Sequence, residues 1–261
     1  MAYFRIEYFS NALQRATSFE MIIPNDTRAG MPGEENPYKK RPMKTLFLLH
    51  GYTGKAGNWV PEYLAEKYNF AIVMPNGENS FYLNGLSTGH DFETMLAVEL
   101  VEYVRKTFGL AMKPEDTGIA GMSMGGYGAL HTALAYPETF GWSGGLSSAL
   151  IVHGIAHMKP EDSNPVANYA YYHECFGDLE TVEERDCNPE VLVKKIKAVG
   201  GIMPKMYICC GTEDFLIEPN RQFRDFLIAE GVEHEYHESK GFHDMVFWSE
   251  YIVKVVEWMF G

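Results

Sequence analysis

TGIAGMSMGGYGAL, residues 117–130, decides how this chain is read. Its first six residues predict a buried strand, and residues 124–136 predict a helix of small residues stopped by Pro137. Between them stands Gly121-Met122-Ser123-Met124-Gly125. A serine in a Gly-x-Ser-x-Gly turn from strand to helix is lifted above the sheet by the sharpness of the bend. Side chains at the flanking positions would collide across that bend, hence the glycines. The helix start behind the serine presents the Met124 N–H with a partial positive charge, a fit for an oxyanion. Ser123 is therefore the candidate nucleophile. The alternative is a small-residue turn without chemistry.

The same period extends outward on both sides. TLFLLH (45–50) and FAIVMP (70–75) are short continuous apolar runs, as in strands buried on both faces. Helical spacing is expected at 59–68 and again at 91–108. In the second stretch Met95, Val98, Val101 and Val104 form one face and Glu99, Glu102 and Arg105 the other, with Gly109 as the stop. GWSGGLSS (141–148) predicts a further strand. Helices near 189–199 and 219–231 flank the strand KMYICC (205–210), and the strand HEYHES (234–239) precedes a last helix at 245–259. Alternating strands and helices predict an α/β fold, a mainly parallel sheet covered on both faces, with functional loops at the carboxyl ends of its strands. Residues 24–44, rich in Pro, Gly and charge, read as a surface loop. Residues 147–188 follow no clean period and read as an insertion or small cap over one end of the sheet. The whole chain, 1–261, is expected to form a single domain.

The chain has 22 Lys and Arg against 35 Asp and Glu, a formal charge of −13. That balance speaks against nucleic acid and anionic membrane as partners. No apolar run approaches the roughly 18 residues of a membrane span, and no secretory signal is visible at the start. A cytoplasmic location is the default expectation. Cys175, Cys187, Cys209 and Cys210 form no metal-binding pair, and a Cys175–Cys187 bridge stays open.

A serine hydroxyl needs a base. His243, in SKGFHDMVFW, lies after a strand and before the last helix, at the same end of the sheet as Ser123. His234 and His237 fall within a strand, His131 on the helix behind the serine, and His50 at a strand end, where it shapes the next loop. His153, His157 and His173 are spread through the insertion too widely for a metal site. The base in turn needs a carboxylate to fix its tautomer. Asp214, after the strand at 205–210, fits, with Glu213 as its rival. Asp244 reads as a helix cap. The order Ser123, Asp214, His243 is that of α/β-hydrolases. The loop His50-Gly51-Tyr52-Thr53-Gly54 offers the Tyr52 N–H as the second oxyanion donor beside Met124.

LFLLHGYTG, GMSMGGYGAL, CGTEDFL and GFHDMVFW together resemble the esterase D / tributyrin esterase / feruloyl esterase branch of the α/β-hydrolase superfamily, over nearly the whole chain. The resemblance implies a serine esterase acting through an acyl-enzyme on small-acyl or aromatic, feruloyl-type esters. It implies no metal and no cofactor, with Ser123, Asp214 and His243 as the triad and Tyr52 and Met124 as the oxyanion donors. S-formylglutathione hydrolases of this branch carry a Cys shortly after the oxyanion-loop threonine, whereas Gly54 follows Thr53 here. A thioesterase of that kind, an acyltransferase, a peptidase and a non-catalytic ligand-binding hydrolase fold are the competing readings. Trp59, Phe81, Tyr82 and Trp142 are candidates for substrate contact. Tyr169, Tyr171, Tyr172 and Phe176 give the insertion an aromatic cover, which could equally meet a second copy in a homo-oligomer.

Overall fold

Thr45 lies beside Thr117 and Leu49 beside Gly121, so the strand before His50 and the strand before Ser123 end together. The other carboxyl ends follow suit, with Met122 beside Leu146, Leu146 beside Cys209, and Gly211 beside Ser239. The computed structural model describes residues 1–25 and 36–261. Eight strands form one sheet in the order β1-β2-β4-β3-β5-β6-β7-β8. They are β1 (Ala2–Ser10), β2 (Arg15–Ile23), β3 (Lys44–Leu49), β4 (Phe70–Pro75), β5 (Thr117–Met122), β6 (Trp142–Leu146), β7 (Lys205–Gly211) and β8 (Glu235–Ser239). Only β1 and β2 run antiparallel to their neighbours. The α/β fold, with a mostly parallel sheet, is as the sequence predicts.

Strand alternation divides the core into two layers. Phe47, Leu49, Val73 and Ile119 face a layer built with α4 (Met124–Ala135), α7 (Pro189–Ala198) and α8 (Ile217–Ala229). Leu46, Leu48, Ile72 and Ala120 face α1 (Glu62–Tyr68) and α9 (Met245–Phe260). Both faces of β3, β4 and β5 are buried, which is why these strands read as unbroken apolar runs.

Some boundaries differ from the sequence expectation for physical reasons. The helix expected at 91–108 runs as α2 (Phe92–Thr94), a π-helical stretch Met95–Leu100, and α3 (Val101–Phe108). The wider π turn rotates Val98 outward, and Glu99 turns in to accept from the Ser10 hydroxyl and the Ala12 N–H. Residues 147–188 contain α5 (Val152–Ile155) and α6 (Tyr169–Phe176), too short to show a period. Of the loop expected at 24–44, residues 26–35 lie outside the described residues; Pro37–Lys40 forms a single 3₁₀ turn capped by Asn36. Cys175 and Cys187 are free thiols, their sulfurs directed at the carbonyls of Asn79 and Val182 respectively, so no bridge joins them. Among the described residues, no helix is long and apolar enough to cross a membrane.

Candidate active site

The turn at Ser123 is as tight as its sequence suggests. Ser123 has φ 56° and ψ −118°, a conformation costly for a residue with a Cβ. A Cβ on Gly121 would lie 2.2 Å from the Gly125 carbonyl oxygen, and one on Gly125 would lie 2.6 Å from the carbonyl oxygens of Leu49 and His50. Only glycine lets α4 approach β3 and β5 this closely. The chain bonds on either side of Ser123 hold the bend: its N–H donates to Leu146 O (2.8 Å), and its carbonyl accepts from Ala149 N–H (3.0 Å).

His243 Nδ1 lies 2.8 Å from Asp214 Oδ2 and 3.0 Å from Oδ1. A carboxylate only accepts, so Nδ1 carries the proton and Nε2 is left as an acceptor. Nε2 lies 3.0 Å from Ser123 Oγ, which donates to it. Among the described residues, Ser123 is the only hydroxyl hydrogen-bonded to a histidine ring. The Asp214 side chain is fully buried. Burial alone would raise its pKa, but hydrogen bonds from His243, the Leu216 N–H and Ser147 outweigh that and hold the carboxyl below its usual range. The rival, Glu213, is exposed and accepts from Gly241 N–H (2.8 Å), while its own N–H donates to Gly241 O (3.0 Å). It fastens the loop that carries His243 and does not touch the imidazole.

On the other side of Ser123 stands the Gly51–Gly54 loop. A Cβ on Gly51 would sit 3.5 Å from the Ser123 Cβ. His50 holds this loop: Nδ1–H donates to Gly51 O (2.8 Å), and Nε2 accepts from Gly77 N–H (3.0 Å). Burial pushes the His50 imidazole down, which keeps it in the neutral form these two bonds require. Among the described residues no acceptor is paired with the N–H of Tyr52 or of Met124.

A cavity of about 850 Å³ opens over Ser123. It is lined by the Gly51–Gly54 loop, Phe81, Met122, Met124, Ala149, Ile151, Gly154, Ile155, residues 164–166, Tyr172, Phe215, Leu216, His243 and Trp248. Part of residues 147–188 thus lines the same cavity as the serine. Phe81 is the one candidate of the aromatic four that lines the cavity. Trp142 begins β6, opposite Gly118, and so lies at the far end of the sheet from Ser123. Tyr82 is fully buried, its hydroxyl donating to the His50 carbonyl, so it supports the oxyanion-side loop from beneath. Trp59 packs against the α1/α9 layer. Phe215 and Trp248 were not foreseen. Their rings stand 4.5 and 4.9 Å from the His243 ring, one residue after Asp214 and one helical turn into α9, and that adjacency was their only sequence signal.

The profile of the Esterase family matches residues 10–259. The chain belongs to that family. Its relatives include an acetyl esterase of Caldicellulosiruptor saccharolyticus, 39% identical over 99% of this chain and 98% of that one. Among solved structures it resembles the substrate-bound Staphylococcus aureus fluorophosphonate-binding serine hydrolase FphF (28% identity, TM-score 0.83, all of this chain and 98% of that one). It also resembles an S-formylglutathione hydrolase of the same organism (28% identity, TM-score 0.81, all of this chain and 99% of that one). This esterase is a serine ester hydrolase of the α/β-hydrolase fold. Among its described residues, no group of three or more His, Cys, Asp and Glu side chains is placed to hold a metal ion.

Proposed function

We propose that this chain hydrolyses carboxylic esters of apolar acyl groups, aliphatic or aromatic, through an acyl-enzyme on Ser123. One observation carries the proposal: the Ser123–His243–Asp214 chain of hydrogen bonds opens into an apolar cavity far larger than an acetyl group needs. In this reading His243 Nε2 takes the proton as Ser123 Oγ attacks the carbonyl carbon, and Asp214 stabilises the imidazolium. The N–H groups of Tyr52 and Met124 receive the oxyanion. His243 then protonates the departing alcohol oxygen, and water repeats the sequence on the acyl-enzyme. Residues 147–188 act as a small cap within one domain. The four free cysteines, three of them buried, favour a reducing, cytoplasmic setting.

The tetrahedral centre divides the cavity. The leaving oxygen must face His243, so the side with Phe215 and Trp248 takes the alcohol. The oxyanion faces Tyr52 and Met124. The direction that remains, toward Phe81, α5 and Tyr172, takes the acyl group. Each buried CH₂ contributes about 0.8 kcal/mol, so kcat/KM should rise up to roughly fifteenfold from acetate to butyrate. Among the described residues, the cavity lining contains no lysine or arginine to meet the carboxylates of a glutathione thioester. A panel of nitrophenyl acetate, butyrate and octanoate, methyl ferulate and S-formylglutathione tests the reading. Butyrate and longer or aromatic acyl groups should lead, and S-formylglutathione should trail. Acetate ahead of butyrate by tenfold would contradict it.

Gly154 offers a second check on the acyl side. It lines the cavity on α5, and an added Cβ would meet nothing within 4 Å. Gly154→Leu should therefore fold normally, keep acetate turnover and lower the octanoate-to-acetate ratio of kcat/KM at least tenfold. An unchanged ratio would remove α5 from the acyl wall.

A further inference from the structure

Ser147 stands one residue beyond the end of β6, next to the end of β7 that leads to Asp214. It is fully buried, and its φ of 46° lies in the left-handed region, unusual for any residue with a Cβ. A bond from its N–H to Cys209 O (2.7 Å) fixes it there. Its hydroxyl oxygen accepts from Trp248 Nε1–H at 3.0 Å. With that lone pair engaged, the hydroxyl has one proton to give. Two groups have their pKa lowered by this hydroxyl: the Asp214 carboxylate and the Cys210 thiol. Burial pushes the Cys210 thiol up to about 12, so it stays neutral and accepts weakly. The carboxylate is the stronger acceptor. Trp248 also stands edge-on to His243, ring planes at 88°. The indole thus touches both ends of the acid–base pair, directly at His243 and through Ser147 at Asp214.

We propose that Ser147 and Trp248 are positioning residues for the Asp214–His243 pair, the indole N–H orienting the Ser147 hydroxyl so that its proton is given to Asp214. The inference rests on the roles assigned above to Asp214 and His243. The backbone strain at Ser147 fits a group held in place for function. The other charged groups around the pair are already engaged: Glu213 on Gly241 N–H, Asp244 on the first N–H groups of α9, and Glu238 of β8 with Arg221 and Arg224 of α8.

The sign of the pH effect follows. Without the Ser147 donor, the Asp214 carboxylate is less stabilised, the pair holds its proton more tightly, and the acid limb of kcat/KM moves to higher pH. Ser147→Gly removes the hydroxyl and relieves the left-handed strain together, so the variant should melt no lower than wild type. With nitrophenyl butyrate its acid limb should rise by roughly half a pH unit. Its kcat should fall about tenfold with KM unchanged. Trp248→Phe keeps a ring beside His243 and loses the N–H; its limb should move the same way by less. Ser147→Gly/Trp248→Phe should move no further than Ser147→Gly alone. A wild-type limb in Ser147→Gly, or full additivity in the double variant, overturns the proposal. If either result comes while Asp214→Asn still cripples turnover, the positioning role alone fails. If Asp214→Asn leaves turnover intact, the underlying assignment fails instead.

Discussion

Replacing Ser123 with alanine is expected to lower kcat/KM for nitrophenyl butyrate by about 10⁴–10⁶-fold while leaving the fold intact. The size follows from the geometry. The Ser123 hydroxyl is the only one among the described residues that donates to a histidine ring, and that histidine is already oriented by a buried carboxylate. The other hydroxyls on the described cavity lining, those of Thr53, Tyr52 and Tyr172, are not bonded to an imidazole, so no second nucleophile stands ready. Alanine keeps the Cβ, so the cost of φ 56° at this position is the same in both proteins and the melting temperature should barely move. Ser123→Gly separates the two quantities: it should be equally inactive yet melt higher, because glycine adopts this backbone without strain. A fluorophosphonate should label the wild type stoichiometrically and neither variant. Turnover of Ser123→Ala within tenfold of wild type would mean that another group attacks the ester.

Why was so much of this arrangement visible in the sequence? Ser123 was legible because its turn constrains its neighbours as well as itself, and glycines at 121 and 125 are the trace of backbones in close contact. The strands β3, β4 and β5 were legible because burial on both faces favours apolar residues along almost their whole length. His243 and Asp214 followed from the rule that such a sheet gathers its loops at one edge, and the register does bring His50, Ser123, Ser147 and Thr212 to that edge. The aromatic contacts were harder. Trp142 lies close to a strand end, but sequence proximity does not say which end, and the pairing with Gly118 puts it at the wrong one. Phe81 and Tyr82 are neighbours, both at positive φ, yet one faces the cavity and the other packs where a Cβ on Gly77 or Gly128 would strike its ring. No periodicity applies to such a turn. Residues 147–188 were opaque for a different reason: α5 has four residues and α6 eight, and what fixes them is packing of Val152, Ile155, Tyr172 and Phe176 into the core rather than their own pattern.

Asp214→Asn is the second large effect, expected to lower kcat by about 10⁴-fold without changing the shape of the site. The amide can still accept the Leu216 N–H that Asp214 Oδ1 accepts at 2.8 Å, so local structure should survive. What changes is the sense of the bond to His243. An amide N–H₂ facing Nδ1 donates where the carboxylate accepted, which forces the imidazole proton onto Nε2. Nε2 then cannot take the Ser123 proton, and the developing imidazolium has lost its counter-charge. Glu213→Gln is the matched control, one residue away and with the same loss of charge. The glutamine oxygen still accepts from Gly241 N–H, and the backbone bond from the Glu213 N–H to Gly241 O is untouched. Its cost should stay within about tenfold, because it anchors the His243 loop without facing the imidazole. The ratio between the two variants therefore carries the assignment. It should exceed a hundredfold in favour of Asp214, and an inverted ratio would move the acid to Glu213 and require the His243 ring to turn away from the carboxylate it now faces.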